Sequence, residues 1–291
     1  MSQKIIEKPK EKSSLAKRSI QKFVSNKLAM IGLIIVVVMT IMSIIAPLIT
    51  SYDPNAIDMS IINRPPGNGH IFGTDSTGRD LYSRLLYGGR ISILIGVVSA
   101  ITTSIIGTIL GLITGYHGGL VDSFVLRLSE ILQSFPMTIL VMVLVTIAGP
   151  SVRNMILVFT IIGWMTVFRI VRNEVLRLRE ETYVEVNKAF GISDIAIIFR
   201  DILPNTLSPI IVATTINVAF FILEETGLSF LGLGVPTNVA TWGTIINAAK
   251  NITVIQNFQW QWIIPGLCIS LFVMSINFLG DGLRDALDPK N

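Results

Sequence analysis

Six apolar runs free of charged side chains are candidates for membrane spans: 28–49, 91–115, 131–152, 154–168, 206–223 and 260–279. A helix crosses the hydrocarbon core of a bilayer in about 20 apolar residues. Within that core a helix satisfies each backbone N–H and C=O inside its own segment. Uninterrupted apolar runs, without period-2 alternation, select helices. The pattern predicts an all-α integral membrane protein with six spans. Pro136 predicts a kink near the start of the third. The fourth is short, so Arg153 and Arg169 are expected to snorkel.

Composition agrees. Of 291 residues, 51% are hydrophobic and 14% charged, against about 25% charged in ordinary soluble domains. So little charge cannot cover a soluble globule, which excludes a cytosolic enzyme, a secreted module and a nucleic-acid binder. The net charge of +4 is unevenly placed. Residues 1–27 hold Lys4, Lys8, Lys10, Lys12, Lys17, Arg18, Lys22 and Lys27 against Glu7 and Glu11, which makes +6 and leaves −2 for the rest. A basic arm before an apolar run is a cytoplasmic anchor. The first run is too long for a signal peptide, and no small-residue cleavage site follows it.

With six spans and a cytoplasmic arm at 1–27, both termini are cytoplasmic. Residues 50–90 and 224–259 are then external. Residues 116–130 and 169–205 are cytoplasmic, and 281–291 form a cytoplasmic tail. The segment 169–205 carries Arg169, Arg172, Arg177, Arg179, Lys188 and Arg200. In 50–90, four arginines are matched by four aspartates.

Few residues suggest chemistry. Cys268 is the only cysteine, so there is neither an internal disulfide nor a cysteine zinc site. His70 and His117 lack a metal-ligand partner at a useful spacing. No G-x-x-x-x-G-K-[ST] loop is present, so this chain has no phosphate cradle and needs energy from elsewhere. Gly107, Gly111 and Gly115 form a small-residue stripe suited to close helix contact. Nearby Thr103, Ser104 and Thr108 fit either inter-helix hydrogen bonds or the wall of a path, as does Asn217 in the fifth span. Glu224 and Glu225 at the end of the fifth span are expected to meet water or a partner. Glu225 is the candidate for shaping the external half of a pathway. Residues 226–236, with Gly232, Gly234 and Pro236, suggest a re-entrant turn.

The segment 169–205 is too charged to span, yet helical in pattern. One amphipathic helix runs to about Phe190, with Arg177–Glu181 and Glu185–Lys188 as expected ion pairs. Gly191 interrupts. Ser193 is a candidate N-cap for a second helix whose apolar residues run from Ile192 to Leu203. Pro204 ends that helix or starts the fifth span. This is a bent connector, either lying on the bilayer or docking a cytoplasmic partner.

The stretch Tyr183–Gly191, followed by Leu203-Pro204, resembles the EAA loop of ABC-importer permeases. Glu185, Gly191, Leu203 and Pro204 match it, while Val186, Asn187 and Asp201 depart from it. Phe72-Gly73-Thr74-Asp75 with Gly78-Arg79-Asp80, Gly115-Tyr116-His117-Gly118-Gly119 and Leu228–Gly234 with Trp242-Gly243 resemble the C-type permease subunits of dipeptide, oligopeptide and nickel importers. So does Gly280–Pro289.

The resemblance implies the type I importer permease fold in a bacterial cytoplasmic membrane, with a core over 91–280. It implies a homologous second permease subunit, two ATP-binding subunits holding ATP and Mg, an external substrate-binding protein, and no cofactor in this chain. It makes Glu185, Ala189, Phe190 and Gly191 the coupling contact with an ATP-binding subunit. Thr103, Ser104, Thr108, Asn217 and Glu225 are the pathway candidates. Peptide is the expected cargo, with nickel or a metal chelate as the alternative. A gradient-driven carrier would leave the bent connector unexplained. For Asp75, Arg79, Asp80, Arg84 and Arg90 the expectation is internal order rather than a docking surface.

Overall fold

The computed structural model describes residues 15–287. Lys4, Glu7, Lys8, Lys10, Glu11, Lys12, Asp288 and Pro289 lie outside the described residues. The elements are helical in order: α1 Leu15–Ser25, α2 Lys27–Ile44, α3 Ala46–Ile49, α4 Leu81–His117, α5 Gly119–Gln133, α6 Met137–Ala148, α7 Val152–Leu178, α8 Thr182–Ala189, α9 Asp194–Ile197, α10 Leu203–Leu231, α11 Trp242–Ile246, α12 Ile252–Asn257 and α13 Trp260–Leu287. Five helical stretches are long and apolar enough to cross a membrane, and the pair α5–α6, bent by 90°, makes a possible sixth.

Helix α4 is the mast of the bundle, and its glycines set the approach of its neighbours. A Cβ at Gly107 would lie 2.7 Å from Trp164 O, one at Gly111 2.7 Å from Val171 Cβ, and one at Gly115 2.8 Å from Val175 Cβ. The stripe therefore seats α7 along the mast. Inter-helix hydrogen bonds reinforce the packing, Thr102 to Thr160 at 2.7 Å and Thr214 to Ser104 at 2.8 Å. Gly96 does the same for α10, where a Cβ would meet Ile222 at 2.5 Å. Helix α2 lies against α13, Gly32 giving room for the carbonyl of Ser275. Its outward residues, including Leu28, Ile34, Val38 and Ile41, are exposed, as a bilayer-facing helix requires.

Several expected boundaries move, each for a physical reason. The third span is broken: Pro136 separates two helices rather than kinking one, and α5 occupies most of the expected 116–130 connector. The fourth span is not short. Helix α7 runs past Arg169 to Leu178 because Val171, Val175 and Leu178 stay buried on one face. Arg172 on the same helix is neutralised by Asp122 of α5, at 2.5 and 2.6 Å. The amphipathic helix expected up to Phe190 is thus two helices, α7 and α8.

The fifth span begins earlier and ends later than expected. Residues Ile198–Ile202 form a π-turn that joins α9 to α10. Pro204 has no N–H and its ring crowds the preceding turn; the widened turn absorbs this just ahead of it. Glu224 and Glu225 lie inside α10, which stops at Gly232 (φ 85°). A re-entrant turn over 226–236 is therefore replaced by a helix end. Gly280–Leu287, in the stretch expected to form the tail, continues α13.

At one end of the bundle, residues 50–80 fold into a compact cap. Asp75 binds Arg79 at 2.7 Å and faces Arg84 at 3.8 Å; Arg84 is buried and donates to Pro54 O at 3.0 Å. Asp80 accepts from Ser83 N at 2.8 Å, capping α4, and lies 2.8 Å from His70 Nδ1. Gln261 of α13 reaches Thr74 O and Asn63 Oδ1. Internal order is what these aspartates and arginines do. Arg90 is the exception, set over the Tyr87 ring at 5.8 Å.

Candidate functional site

At the opposite end from the cap, the chain leaves α7 and turns into an elbow. Its root is clamped. Arg179 Nη1 donates to Gly115 O at 3.1 Å, closing the last turn of the mast. Tyr116 donates to Asp194 Oδ1 at 2.7 Å, and Lys188 Nζ sits 4.6 Å over the Tyr116 ring. The expected Glu185–Lys188 pair gives way to that cation–π contact, whereas Arg177 does meet Glu181, at 3.5 Å. Val184 of α8 is fully buried against Val175, Leu178, Ile197, Ile198 and Ile202.

The bend itself is a helix-ending motif. Gly191 N donates to Lys188 O at 2.9 Å and Ile192 N to Asn187 O at 3.1 Å, with Gly191 at φ 75°. This double closure uses a left-handed residue just past the helix end. A Cβ there would meet nothing within 4 Å, so only the backbone angle asks for glycine. Ser193 then caps α9, accepting from Ala196 N at 3.4 Å.

Asn187 and Asp201, the departures from the motif, bind each other at 2.9 Å, Asn187 Nδ2 donating to Asp201 Oδ2. They brace α8 across the bend to the π-turn. Sequence alone gives no signal for this pair, since 14 positions separate them and each looks like an isolated mismatch. The same holds for Arg172–Asp122 and Tyr116–Asp194.

The tip is unsatisfied in the opposite sense. Glu185, Ala189, Phe190 and Gly191 are all exposed, and Phe190 is 81% exposed. Ile192, Ile195 and Phe199 are also exposed beside it. An apolar tip on a braced root can receive force from a partner and pass it to α4, α5, α7 and α10.

The five pathway candidates do not share one surface. Thr103 is buried and bonds Ser99 O of its own helix at 2.7 Å. Ser104 accepts from Thr214, and Thr108 lines a shallow, almost wholly apolar groove between α4 and α10. Asn217 lines a different cavity, under the α5–α6 bend. Glu225 is fully buried: Ser92 donates to Oε2 at 3.1 Å, Ser229 and Thr241 to Oε1 at 2.8 and 2.9 Å. Ser92 also accepts from Trp242 N at 3.1 Å. That carboxylate ties α4, α10 and α11 into one knot.

Comparison with known proteins adds the following. The family model described as binding-protein-dependent transport system inner membrane component matches residues 107–291. The one described as N-terminal TM domain of oligopeptide transport permease C matches residues 14–66. The chain is 40% identical over 283 residues to the oligopeptide transport system permease protein OppC of Bacillus subtilis, covering 97% of this chain and 92% of that one. It is 40% identical over 265 residues to the dipeptide transport system permease protein DppC of the same organism, 91% and 82% of the two chains. Against the dipeptide permease DppC of Alkalihalophilus pseudofirmus it is 41% identical over 265 residues, 91% and 86%.

Proposed function

Because this chain belongs to the binding-protein-dependent transport system inner membrane component family, we propose that it is the C-type permease subunit of an ATP-driven importer of di- or oligopeptides. As a multi-pass inner-membrane protein it supplies half of the translocation path. A homologous permease subunit supplies the other half, an external receptor delivers the peptide, and two ATP-binding subunits, holding ATP and Mg, do the work. Peptide is favoured over nickel or a metal chelate because the relatives named above are peptide and dipeptide permeases. A gradient-driven carrier is disfavoured by the family itself.

The observation that carries the reading is the elbow: an exposed Phe190 at the tip of α8, on a root locked to the mast by Arg179, Tyr116 and Asp194. A groove on an ATP-binding subunit would bury Phe190, with Glu185 facing a cation at its edge. Closure of the two ATP-binding subunits would then move α8, and the Asn187–Asp201 brace would pass the motion to α10. In this orientation the elbow and both termini are cytoplasmic and the 50–80 cap is external.

The test is reconstitution of the complete complex in liposomes. Phe190→Asp keeps the chain assembled in the membrane and cuts peptide-stimulated ATP hydrolysis and uptake about tenfold or more, the scale of losing a central interface anchor. Wild-type hydrolysis and uptake in that variant would refute the docking role of the tip.

A further inference from the structure

Under the α5–α6 bend lies a cavity of about 410 Å³, between that bend, α7 and α10. Its floor is fixed. Phe221 is buried against Phe159 at a ring separation of 5.0 Å, and Gly163 makes room for it, since a Cβ there would lie 2.5 Å from the Phe221 ring. Its walls are apolar apart from Gln133, Thr166 and Asn217. Asn217 Nδ2 is shielded and has no hydrogen-bond partner, so it is a donor held ready without a protein acceptor.

Two helical turns along α10, on the same face, is Glu224. Asn217, Phe220, Phe221 and Glu224 stand at i, i+3, i+4 and i+7, one stripe of a helix. Glu224 is half-buried, and Thr138 of α6 donates to its two oxygens at 3.1 and 3.2 Å. No Lys, Arg or His of the described residues forms an ion pair with it. Its neighbour Glu225 is enclosed by three hydroxyls; Glu224 has one, from Thr138, the residue after Met137 of the cavity wall. A carboxylate at this depth in a spanning helix is expensive and marks a path for something that compensates it.

We infer that the cavity is a peptide subsite, Asn217 in its wall taking the main chain of the cargo and Glu224, one helical turn beyond Phe220, taking the free α-ammonium group. The spacing fits. Seven residues of helix separate the two groups by about 10 Å along the axis, which an extended peptide covers in about three residues. Uncharged Gln133, Thr166 and Asn217 can pair with any peptide backbone, and the aromatic walls tolerate varied side chains. Main-chain recognition plus one terminal charge reads a peptide without reading its sequence. This inference rests on the peptide reading of the preceding section.

The experiment uses the complete complex in liposomes with saturating receptor. The probes are tetra-alanine with a free amino terminus and N-acetyl tetra-alanine. Glu224→Gln slows uptake of the free-amine peptide about tenfold, the order of one charge-assisted contact, and slows the acetylated peptide less than twofold. Glu224→Asp restores most of the rate. Equal slowing of both peptides, or no slowing, overturns the inference, as does equal slowing by Asp and Gln. Failure of Glu224→Gln to co-purify with the second permease subunit also overturns it, because the countercharge then lies in that subunit. A wild-type complex that hydrolyses ATP but takes up neither peptide contradicts the peptide reading itself, and the two failures are told apart by that control.

Discussion

The two ends of the bundle use polar residues in contrary ways. At the cap end, charge is consumed internally. Glu225 is closed by Ser92, Ser229 and Thr241, and Arg84 is buried beside Asp75. At the elbow end, polar groups grip only the root, through Arg172–Asp122, Tyr116–Asp194 and Asn187–Asp201, and the apolar tip at Phe190 is left bare. A closed knot resists deformation. A braced lever with a bare apolar tip is, on the proposed function, built to be pushed. On the proposed function, the difference separates residues that hold the protein together from residues that connect it to others, although both sets include charged side chains.

The contrast can be broken most severely at the cap end. Glu225→Ala strands three buried hydroxyls and opens the junction of α4, α10 and α11. Each buried hydroxyl left without its acceptor costs about 1–3 kcal/mol, and three are affected together, so most of the chain should be lost from the membrane or aggregate on extraction, as size-exclusion profiles will show. Next comes the mast. Gly111→Leu forces a side chain into Val171 Cβ, 2.7 Å from its first carbon. Overpacking costs about 1–3 kcal/mol, read as a lowered unfolding midpoint in detergent.

How much of this is legible without coordinates varies along the chain. The spans are, because 20-residue apolar runs have few alternatives. So are the Gly107–Gly111–Gly115 stripe and the Gly191 bend, because glycine period and punctuation are local signals. Helix ends are less so: Arg169 reads as the end of the fourth span, yet α7 runs on past Arg172, which Asp122 on another helix neutralises. The pathway is least legible. Glu225 matches the family pattern, yet it is sealed by three hydroxyls, while adjacent Glu224 is half-buried and held only by Thr138. A one-residue step turns a helix by about 100°, and only packing reveals which neighbour faces inward.

Two smaller effects sharpen the elbow side. Asn187→Ala removes the brace to Asp201, half-exposed and worth about 1 kcal/mol. It should lower the unfolding midpoint slightly and loosen coupling, giving more ATP hydrolysed per peptide imported. Gly191→Ala meets no steric obstacle but must hold a left-handed backbone angle, at about 1–2 kcal/mol. It should slow uptake modestly at unchanged protein level. Equal damage to folding from elbow and cap substitutions would erase the distinction between the two ends.

The most direct measurement is chemical cross-linking from the tip. Phe190→Cys in a Cys268→Ser background is placed in native membranes with the whole complex and treated with a short bifunctional thiol reagent after a reporter cysteine scan of the ATP-binding subunit. The account predicts a cross-link to that subunit whose yield changes on ATP addition, and no labelling of the cysteine by a membrane-impermeant reagent applied from outside. Labelling from outside, or no cross-link to any nucleotide-binding subunit, would contradict it.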